Sequence, residues 1–236
     1  MTAINQPIEN LKQFKGRSMA QETWRRLLKN KGAVIGMAFM ILLIVVAILS
    51  QFIYNYETDI IAMSSSASAQ APSLQHIFGT DKYGRDIFAR IIYGARYSLL
   101  IGAGSVFIGL AVGILLGSLA GFYGGFIDNL VMRANDILYA IPNIMIAVVV
   151  VSILGTTPAS LLLSLSISAS SSFARITRAA VMTIRGQEYV ESAYAMGLPT
   201  WKVILRHIIP NCLSPIIVQV TLAIGSNIIA ASSLSF

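Results

Sequence analysis

The sequence predicts an all-α, polytopic membrane protein. Of its 236 residues, 56% are hydrophobic and only 11% are charged, and the mean hydropathy is +0.72. A soluble domain has about a quarter charged residues. Five apolar segments are long enough to cross about 30 Å of hydrocarbon, which takes roughly 20 helical residues. The predicted spans are residues 33–53, 98–121, 137–154, 158–175 and 213–236.

The first predicted span follows a basic segment, residues 1–32, which holds seven of the 17 Lys and Arg residues. No small-residue cleavage site follows the apolar run, so we expect a retained signal anchor. With this segment in the cytoplasm, 13 of the 17 positive residues lie on the cytoplasmic side, as the positive-inside bias predicts. Residues 21–31 predict either a short amphipathic helix at the inner membrane surface or an ordinary basic flank.

Residues 54–97 are predicted to form an extracytoplasmic loop. Its Ser/Ala-rich stretch, residues 63–71, is expected to be flexible. The segment that follows predicts an amphipathic helix lying on the outer surface, with a calcium loop as an alternative that lacks the acid spacing of an EF-hand. Thr80 and Asp81 are its candidate helix caps. Ile87, Ile91 and Ala95 are its apolar residues at helical spacing.

Two predicted spans carry a small residue at every fourth position. In the 98–121 span these residues are Gly109, Gly113, Gly117 and Gly121. In the 158–175 span they are Ser160, Ser164, Ser168 and Ser172. Residues four apart share a helix face, and small residues let another helix approach closely in lipid. We therefore predict helix packing along both rows, with the lining of a polar path as the alternative.

The middles of the predicted spans contain no Asp, Glu, Lys, Arg or His. A charge there costs at least about 2.5–3.5 kcal/mol and usually marks an ion relay, so an ion-coupled carrier is disfavoured. The net charge of +7 follows the membrane topology, and without a basic stripe of interleaved aromatic residues we predict no nucleic-acid binding.

Residues that support catalysis or metal binding are also missing from the sequence. It has no P-loop, no Gly-x-Ser-x-Gly elbow, no Ser/His/Asp set and no zinc-type His pair. Cys212 is the one cysteine, and His76 and His207 fall on opposite sides of the membrane in this topology. We predict a chain that is not an enzyme and holds no cofactor or metal of its own.

Two segments, residues 122–136 and 176–212, are predicted cytoplasmic loops. In the second, a helix is expected to begin near Gln187, with acidic residues in its first turns, where the helix dipole favours them. Gly197 is suited to cap this helix, and Pro199 prevents its continuation. Tyr189, Ala193 and Met196 are expected to share one face.

A second cytoplasmic helix is predicted over residues 201–209. Thr200 is its candidate N-cap, Lys202 and Arg206 are expected to be exposed, and Pro210 marks the entry to the last span. The pattern leaves two possibilities open. The segment either inserts into a groove on another protein or lies on the membrane.

Residues 191–210 resemble the "EAA" motif of permease subunits in bacterial ABC importers. That motif has Glu-Ala-Ala, three residues, Gly, nine residues and Ile-x-Leu-Pro. The matching residues are Glu191, Ala193, Gly197 and Pro210, and the departures are Ser192, His207 and Ile209. The His-x-x-Pro-Asn variant is similar to that of the dipeptide/oligopeptide branch. Gly79-Thr-Asp-Lys-Tyr-Gly-Arg-Asp86 also resembles that branch's Gly-Thr-Asp-x-x-Gly-Arg-Asp signature.

The resemblance implies a type I ABC importer permease fold whose coupling helix docks on a cytoplasmic ATPase. The implied coupling residues are Glu188, Glu191, Ala193, Met196, Gly197 and Pro199. Such permeases usually have a sixth span, so we expect that the chain is truncated before it.

The implied function is ATP-driven import of dipeptides or oligopeptides across the bacterial cell membrane. The implied partners are a homologous sister permease, two cytoplasmic ABC ATPase subunits that carry ATP and Mg, an extracytoplasmic substrate-binding protein and membrane lipid. Nickel, glutathione or a peptide antibiotic remain alternative substrates. A non-transporting membrane scaffold that recruits a cytoplasmic partner is the alternative from another class.

Overall fold

The computed structural model describes Arg25 and residues 27–234. This part of the chain is helical and contains no β-strand, which confirms the all-α prediction. The α-helices are α1 (Lys31–Ile53), α2 (Ile87–Tyr123), α3 (Gly125–Ala140), α4 (Asn143–Leu154), α5 (Pro158–Ile184), α6 (Glu188–Ala195), α7 (Thr200–Val203) and α8 (Leu213–Leu234). Of the helix predicted over residues 21–31, residues 21–24 and 26 lie outside the described residues, and residues 27–29 are helical.

Four helical stretches are long and apolar enough to cross a membrane. They are α1, α2, α5 and the continuous stretch Thr200–Leu234, and the bent pair of α3 and α4 is a fifth candidate. Five spans were predicted. The sides of the membrane on which the connecting segments lie stay a prediction.

The outer surface helix and the second span, predicted as separate elements that meet near residue 98, are one continuous helix. α2 continues unbroken for 37 residues, or about 55 Å. No proline interrupts it, and Gly94 is tolerated inside a long helix. Its N-cap is Asp86 rather than the predicted Thr80 or Asp81, and the Asp86 carboxylate accepts the Ala89 N–H at 2.9 Å.

The predicted loop 122–136 is also helical. Gly124 and Gly125 adopt φ of +65° and +54°, so the chain turns directly from α2 into α3. Pro142 ends that helix, and α4 starts at Asn143 at an angle of 89° to α3. The third predicted span, residues 137–154, is therefore bent rather than straight.

α5 begins at Pro158 as predicted but extends past residue 175 to Ile184. The predicted second cytoplasmic helix is not a separate element. After α7 the chain forms a π-helical turn (Ile204–Ile208) and a 3₁₀ turn (Ile209–Cys212) and then continues into α8. These turns accommodate Pro210, which has no N–H to donate. Pro199, not Thr200, occupies the N-cap position of α7.

The glycine row of α2 packs against the backbone of α5, which confirms the prediction of close helix packing. A Cβ added at Gly109 would lie 2.7 Å from the Ala169 Cβ, and one at Gly121 would lie 2.7 Å from the Arg178 carbonyl oxygen. A Cβ added at Gly113 would lie still closer to the Phe173 Cβ, and one added at Gly117 would lie still closer to the Ala174 carbonyl oxygen.

The serine row of α5 does not form the other half of this contact. The residues that face the glycines are Ala169, Phe173, Ala174 and Thr177. Ser164 is buried and its hydroxyl donates to the Leu161 carbonyl at 2.8 Å. Ser168 and Ser172 instead line a cleft at the bend between α3 and α4. The Ser168 hydroxyl is buried on this side of α5, so the row faces α3 and α4 rather than α2.

Candidate functional site

The short helix α6 is held between α5 and the Thr200–Leu234 stretch by its apolar inner face. Val190 and Ala193 are each 1% exposed. They pack in one cluster with Val181, Val203 and Ile208, which come from α5 and from the segment after α6. Since this cluster is intramolecular, α6 has a fixed position without any partner protein.

The C-terminus of α6 is a Schellman motif built on Gly197. The Gly197 N–H donates to the Tyr194 carbonyl at 2.8 Å, and the Leu198 N–H donates to the Ala193 carbonyl at 3.2 Å. Gly197 adopts φ of +78°, a left-handed conformation that other residues rarely adopt. The predicted capping role of Gly197 is confirmed.

The outer face of α6 combines acidic and large apolar side chains. Glu188 and Glu191 are exposed in the first turn, and Met196 and Trp201 are 74% and 60% exposed. Gly197, Pro199, Lys202 and Arg206 are exposed as well. An exposed apolar surface rimmed by charged residues is typical of a protein contact site.

The position of Ala193 differs from the predicted arrangement of this surface. The sequence placed it on one face with Tyr189 and Met196, but Ala193 is buried while the other two are exposed. Val190 and Ala193 are three residues apart and share the inner face, whereas Met196 follows the last residue of α6 at its C-cap. Ala193 lets α6 approach the cluster and offers no surface to a partner. The coupling role of the other five predicted residues stays a prediction.

Sequence reasoning missed the contacts that attach this region to α2. The Arg185 guanidinium donates through Nη1 to the carbonyls of Gly121 and Phe122, at 2.9 and 3.0 Å. The ring of Phe122 also stacks on that of Tyr194, with the centroids 6.3 Å apart. The only signal in the sequence was a basic residue at the end of a span.

Two ion pairs attach α3 to α5. Arg178 forms a bidentate pair with Asp128, with Nη2 and Oδ2 2.6 Å apart. Arg175 bonds Asp136 at 3.0 Å, but both of those side chains are about half exposed. The sequence shows these charges near span ends without showing which acid pairs with which base.

The second motif, residues 79–86, lies at the opposite end of α2 and is tightly bonded. The Asp81 Oδ2 accepts from Arg85 Nε at 2.8 Å and from Arg90 Nη1 at 2.7 Å. Burial alone would raise the pKa of Asp81, but hydrogen bonds from the Arg85 side chain and from the Arg85 and Tyr83 N–H groups lower it to about 2. The carboxylate is therefore charged across the physiological range.

The Ser/Ala-rich stretch 63–71 is bonded to this motif, contrary to the predicted flexibility. The Ser64 N–H donates to the Tyr83 carbonyl, the Ala69 N–H to the Asp81 carbonyl and the Gln70 N–H to the Thr80 hydroxyl, at 2.9–3.0 Å. Composition suggested flexibility because small polar residues carry no long-range signal of their own.

Two known family profiles match the chain, one over its C-terminal half and one near its N-terminus. The profile of the binding-protein-dependent transport system inner membrane component matches residues 113–236, which include α3 to α8 and most of the glycine row. The chain belongs to this family. The profile of the N-terminal transmembrane domain of oligopeptide transport permease C matches residues 18–72. The chain is thus a multi-pass helical membrane permease of the ABC importer class, as the motifs indicated.

Relatives of known function match nearly the whole chain. The glutathione transport system permease protein GsiD of Shigella dysenteriae is 43% identical over 215 residues, 91% of this chain and 71% of that protein. That of Pectobacterium atrosepticum is 39% identical over 216 residues, 92% of this chain and 71% of that protein. The dipeptide transport system permease protein DppC of Alkalihalophilus pseudofirmus is 39% identical over 224 residues, 95% of this chain and 73% of that protein.

Proposed function

We propose that this chain is the transmembrane permease subunit of an ATP-driven importer of dipeptides or oligopeptides, coupled through residues 187–199 to a separate ATPase. The observation that carries the proposal is the two-sided structure of α6. Its inner face belongs to the cluster formed with α5 and the Thr200–Leu234 stretch, and its outer face is exposed. A partner that binds the outer face therefore acts on two candidate spans at once.

The path from α6 into the membrane supports coupling. One turn joins α6 to α5, the Schellman motif joins it to α7, and Arg185 bonds the end of α2. Because these contacts connect α6 to three long helices, a displacement of α6 moves their ends together. ATP and Mg are assigned to two cytoplasmic ATPase subunits, since this sequence has no P-loop.

The remaining partners and the orientation follow from the family. A sister permease completes the pathway, an extracytoplasmic binding protein delivers the substrate, and the N-terminus lies in the cytoplasm, where the excess of Lys and Arg favours it. Relatives named for a dipeptide and for glutathione, itself a tripeptide, favour a peptide over nickel.

The outer face is tested by Met196→Ala in the chain assembled with its sister permease, ATPase subunits and binding protein. If Met196 is a central contact, its truncation costs about 2 kcal/mol, or roughly thirtyfold in affinity for the ATPase. Met182→Ala is the matched control, because Met182 is 41% exposed on α5 outside the coupling surface. ATPase binding and ATP-dependent peptide uptake in proteoliposomes are measured.

Unchanged ATPase binding and uptake in Met196→Ala would count against this surface. An unmodified assembly that binds the ATPase without peptide-stimulated hydrolysis or uptake would favour a scaffold. Uptake that persists after ATP depletion would favour an ion-coupled carrier.

A further inference from the structure

A groove of about 560 Å³ lies between α1 and α2, at the end of these helices away from α6. Its walls are apolar, formed mainly by Ile44, Ile48, Leu100 and Phe107. Two polar side chains, Gln51 and Arg96, lie at one end. The buried residues of α1 are Ala47 and Ser50, so this helix touches the rest of the molecule along a narrow strip beside the groove.

The length of the groove matches one leaflet of a bilayer. From Arg96 to Phe107, α2 rises about 16 Å, and half of a 30 Å hydrocarbon core is about 15 Å. The polar end is next to a cluster of three tyrosines. The ring centroid of Tyr93 lies 5.7 Å from that of Tyr56 and 6.1 Å from that of Tyr97. Tyrosines collect at the level of the lipid headgroups, so the groove extends from that level toward the bilayer centre.

Arg96 supplies an unsatisfied positive charge at that level. Arg96 is partly buried, and its guanidinium forms no hydrogen bond or ion pair with any residue the structure describes. The acids nearest in sequence are already engaged, Asp81 with two other arginines and Asp86 with His76 at 2.7 Å. A guanidinium beside an apolar channel complements a phosphate that carries a hydrocarbon chain.

We propose that this groove binds an anionic phospholipid from the leaflet opposite α6. Its phosphate is held by Arg96 and Gln51, and one acyl chain lies between α1 and α2. A free anion would satisfy Arg96 but would leave the apolar walls unoccupied. The bound lipid fills the space between the two helices and thereby stabilises the attachment of α1, whichever substrate the permease carries.

The test uses the assembled transporter in bilayers with a phosphatidylglycerol probe that carries a photoreactive diazirine on one acyl chain. We expect labelling in residues 44–51 and 96–107, with competition by unlabelled phosphatidylglycerol but not by phosphatidylcholine. Arg96→Gln should reduce labelling about fivefold, since one basic residue near a membrane surface contributes on the order of that factor to anionic lipid binding. Arg96→Lys should restore most of it.

Lys82→Gln is the matched charge control, because Lys82 is exposed at the same end of α2 and lies outside the groove. Ala103→Phe tests the apolar part separately, since Ala103 lines the groove and a ring there occupies the place of the chain. Val149→Phe, at an outward position of α4 that is 57% exposed, is its control. Assembly of each variant is checked by size-exclusion chromatography.

Labelling that is indifferent to both Arg96→Gln and Ala103→Phe would overturn the proposal, as would equal competition by phosphatidylcholine. So would a cross-link from position 48 or 100 to a helix of the sister permease in the intact assembly, because protein would then fill the groove.

Discussion

Gly197 shows how a single residue sets the position of the coupling surface. Its left-handed conformation lets the chain reverse within two residues of α6, so that Pro199 and α7 follow directly. No atom lies within 4 Å of a Cβ added there. The need for glycine is therefore conformational rather than steric.

We expect Gly197→Ala to loosen the end of α6. A non-glycine residue in the left-handed region costs about 1–2 kcal/mol, which should speed hydrogen exchange of the Leu198 amide by roughly five- to thirtyfold. Gly186→Ala is the control, because that position also has open space around it but no positive φ. Equal exchange in the two variants would show that the Schellman motif contributes little.

At the scale of elements, the packing of α2 on α5 depends on backbone approaching backbone. Each glycine of the row lies so close to α5 that an added methyl group must displace main-chain atoms. In lipid, where burial of apolar surface does not drive helix association, such close van der Waals contact supplies much of the attraction.

Gly113→Ala should therefore destabilise the fold by about 1–3 kcal/mol, the usual cost of overpacking. Its Cβ would overlap Phe173 and the Ala174 amide nitrogen. Gly36→Ala in α1 meets nothing within 4 Å and should be neutral or slightly stabilising. Thermal unfolding of the purified protein in detergent distinguishes them, and equal melting temperatures would contradict the packing described here.

At the scale of the whole molecule, α5 is the central connection. Its glycine-facing side packs on α2, Arg178 holds α3, and its C-terminus leads into α6. The bent α3–α4 pair is thus attached to the coupling surface through a partly buried ion pair rather than through the chain alone.

If that attachment transmits movement, Asp128→Asn should lower peptide uptake per ATP hydrolysed while leaving ATPase binding intact. The change removes the charge that pairs with Arg178, whose side chain is only 31% exposed, at a cost of about 1.5–3 kcal/mol. Asp136→Asn is the control, since the exposed Asp136–Arg175 pair contributes less than about 1 kcal/mol. An unchanged transport ratio in Asp128→Asn would exclude this pair from coupling.

Periodicity and capping chemistry predicted most of the helices and the end of α6. They did not predict the continuity of α2, because it depends on how the helix packs against its neighbours. The bend at Pro142 was missed although the proline is itself a local signal that a helix ends before it. The face on which Ala193 lies was missed, like the continuity of α2, because it depends on packing. A small residue fits either a buried contact or an exposed one, and only the neighbouring cluster decides between them.

Contacts between distant charges were beyond sequence reasoning as well. Arg178 and Asp128 are 50 positions apart, and Arg185 bonds carbonyl groups that no side-chain pattern reveals. Three other acids, Asp136, Glu188 and Glu191, and several other bases lie in the same predicted cytoplasmic segments, so charge complementarity alone did not specify the pairs.

The unbroken length of α2 has a mechanical consequence. A single rigid rod exceeds the thickness of the hydrocarbon layer by some 25 Å, and its two tips carry the bonded Asp81 motif and the carbonyl groups held by Arg185. A tilt imposed at one tip reaches the other without a joint to absorb it. If the two tips lie on opposite surfaces of the membrane, as the charge distribution predicts, a displacement of one tip is accompanied by a displacement of the other.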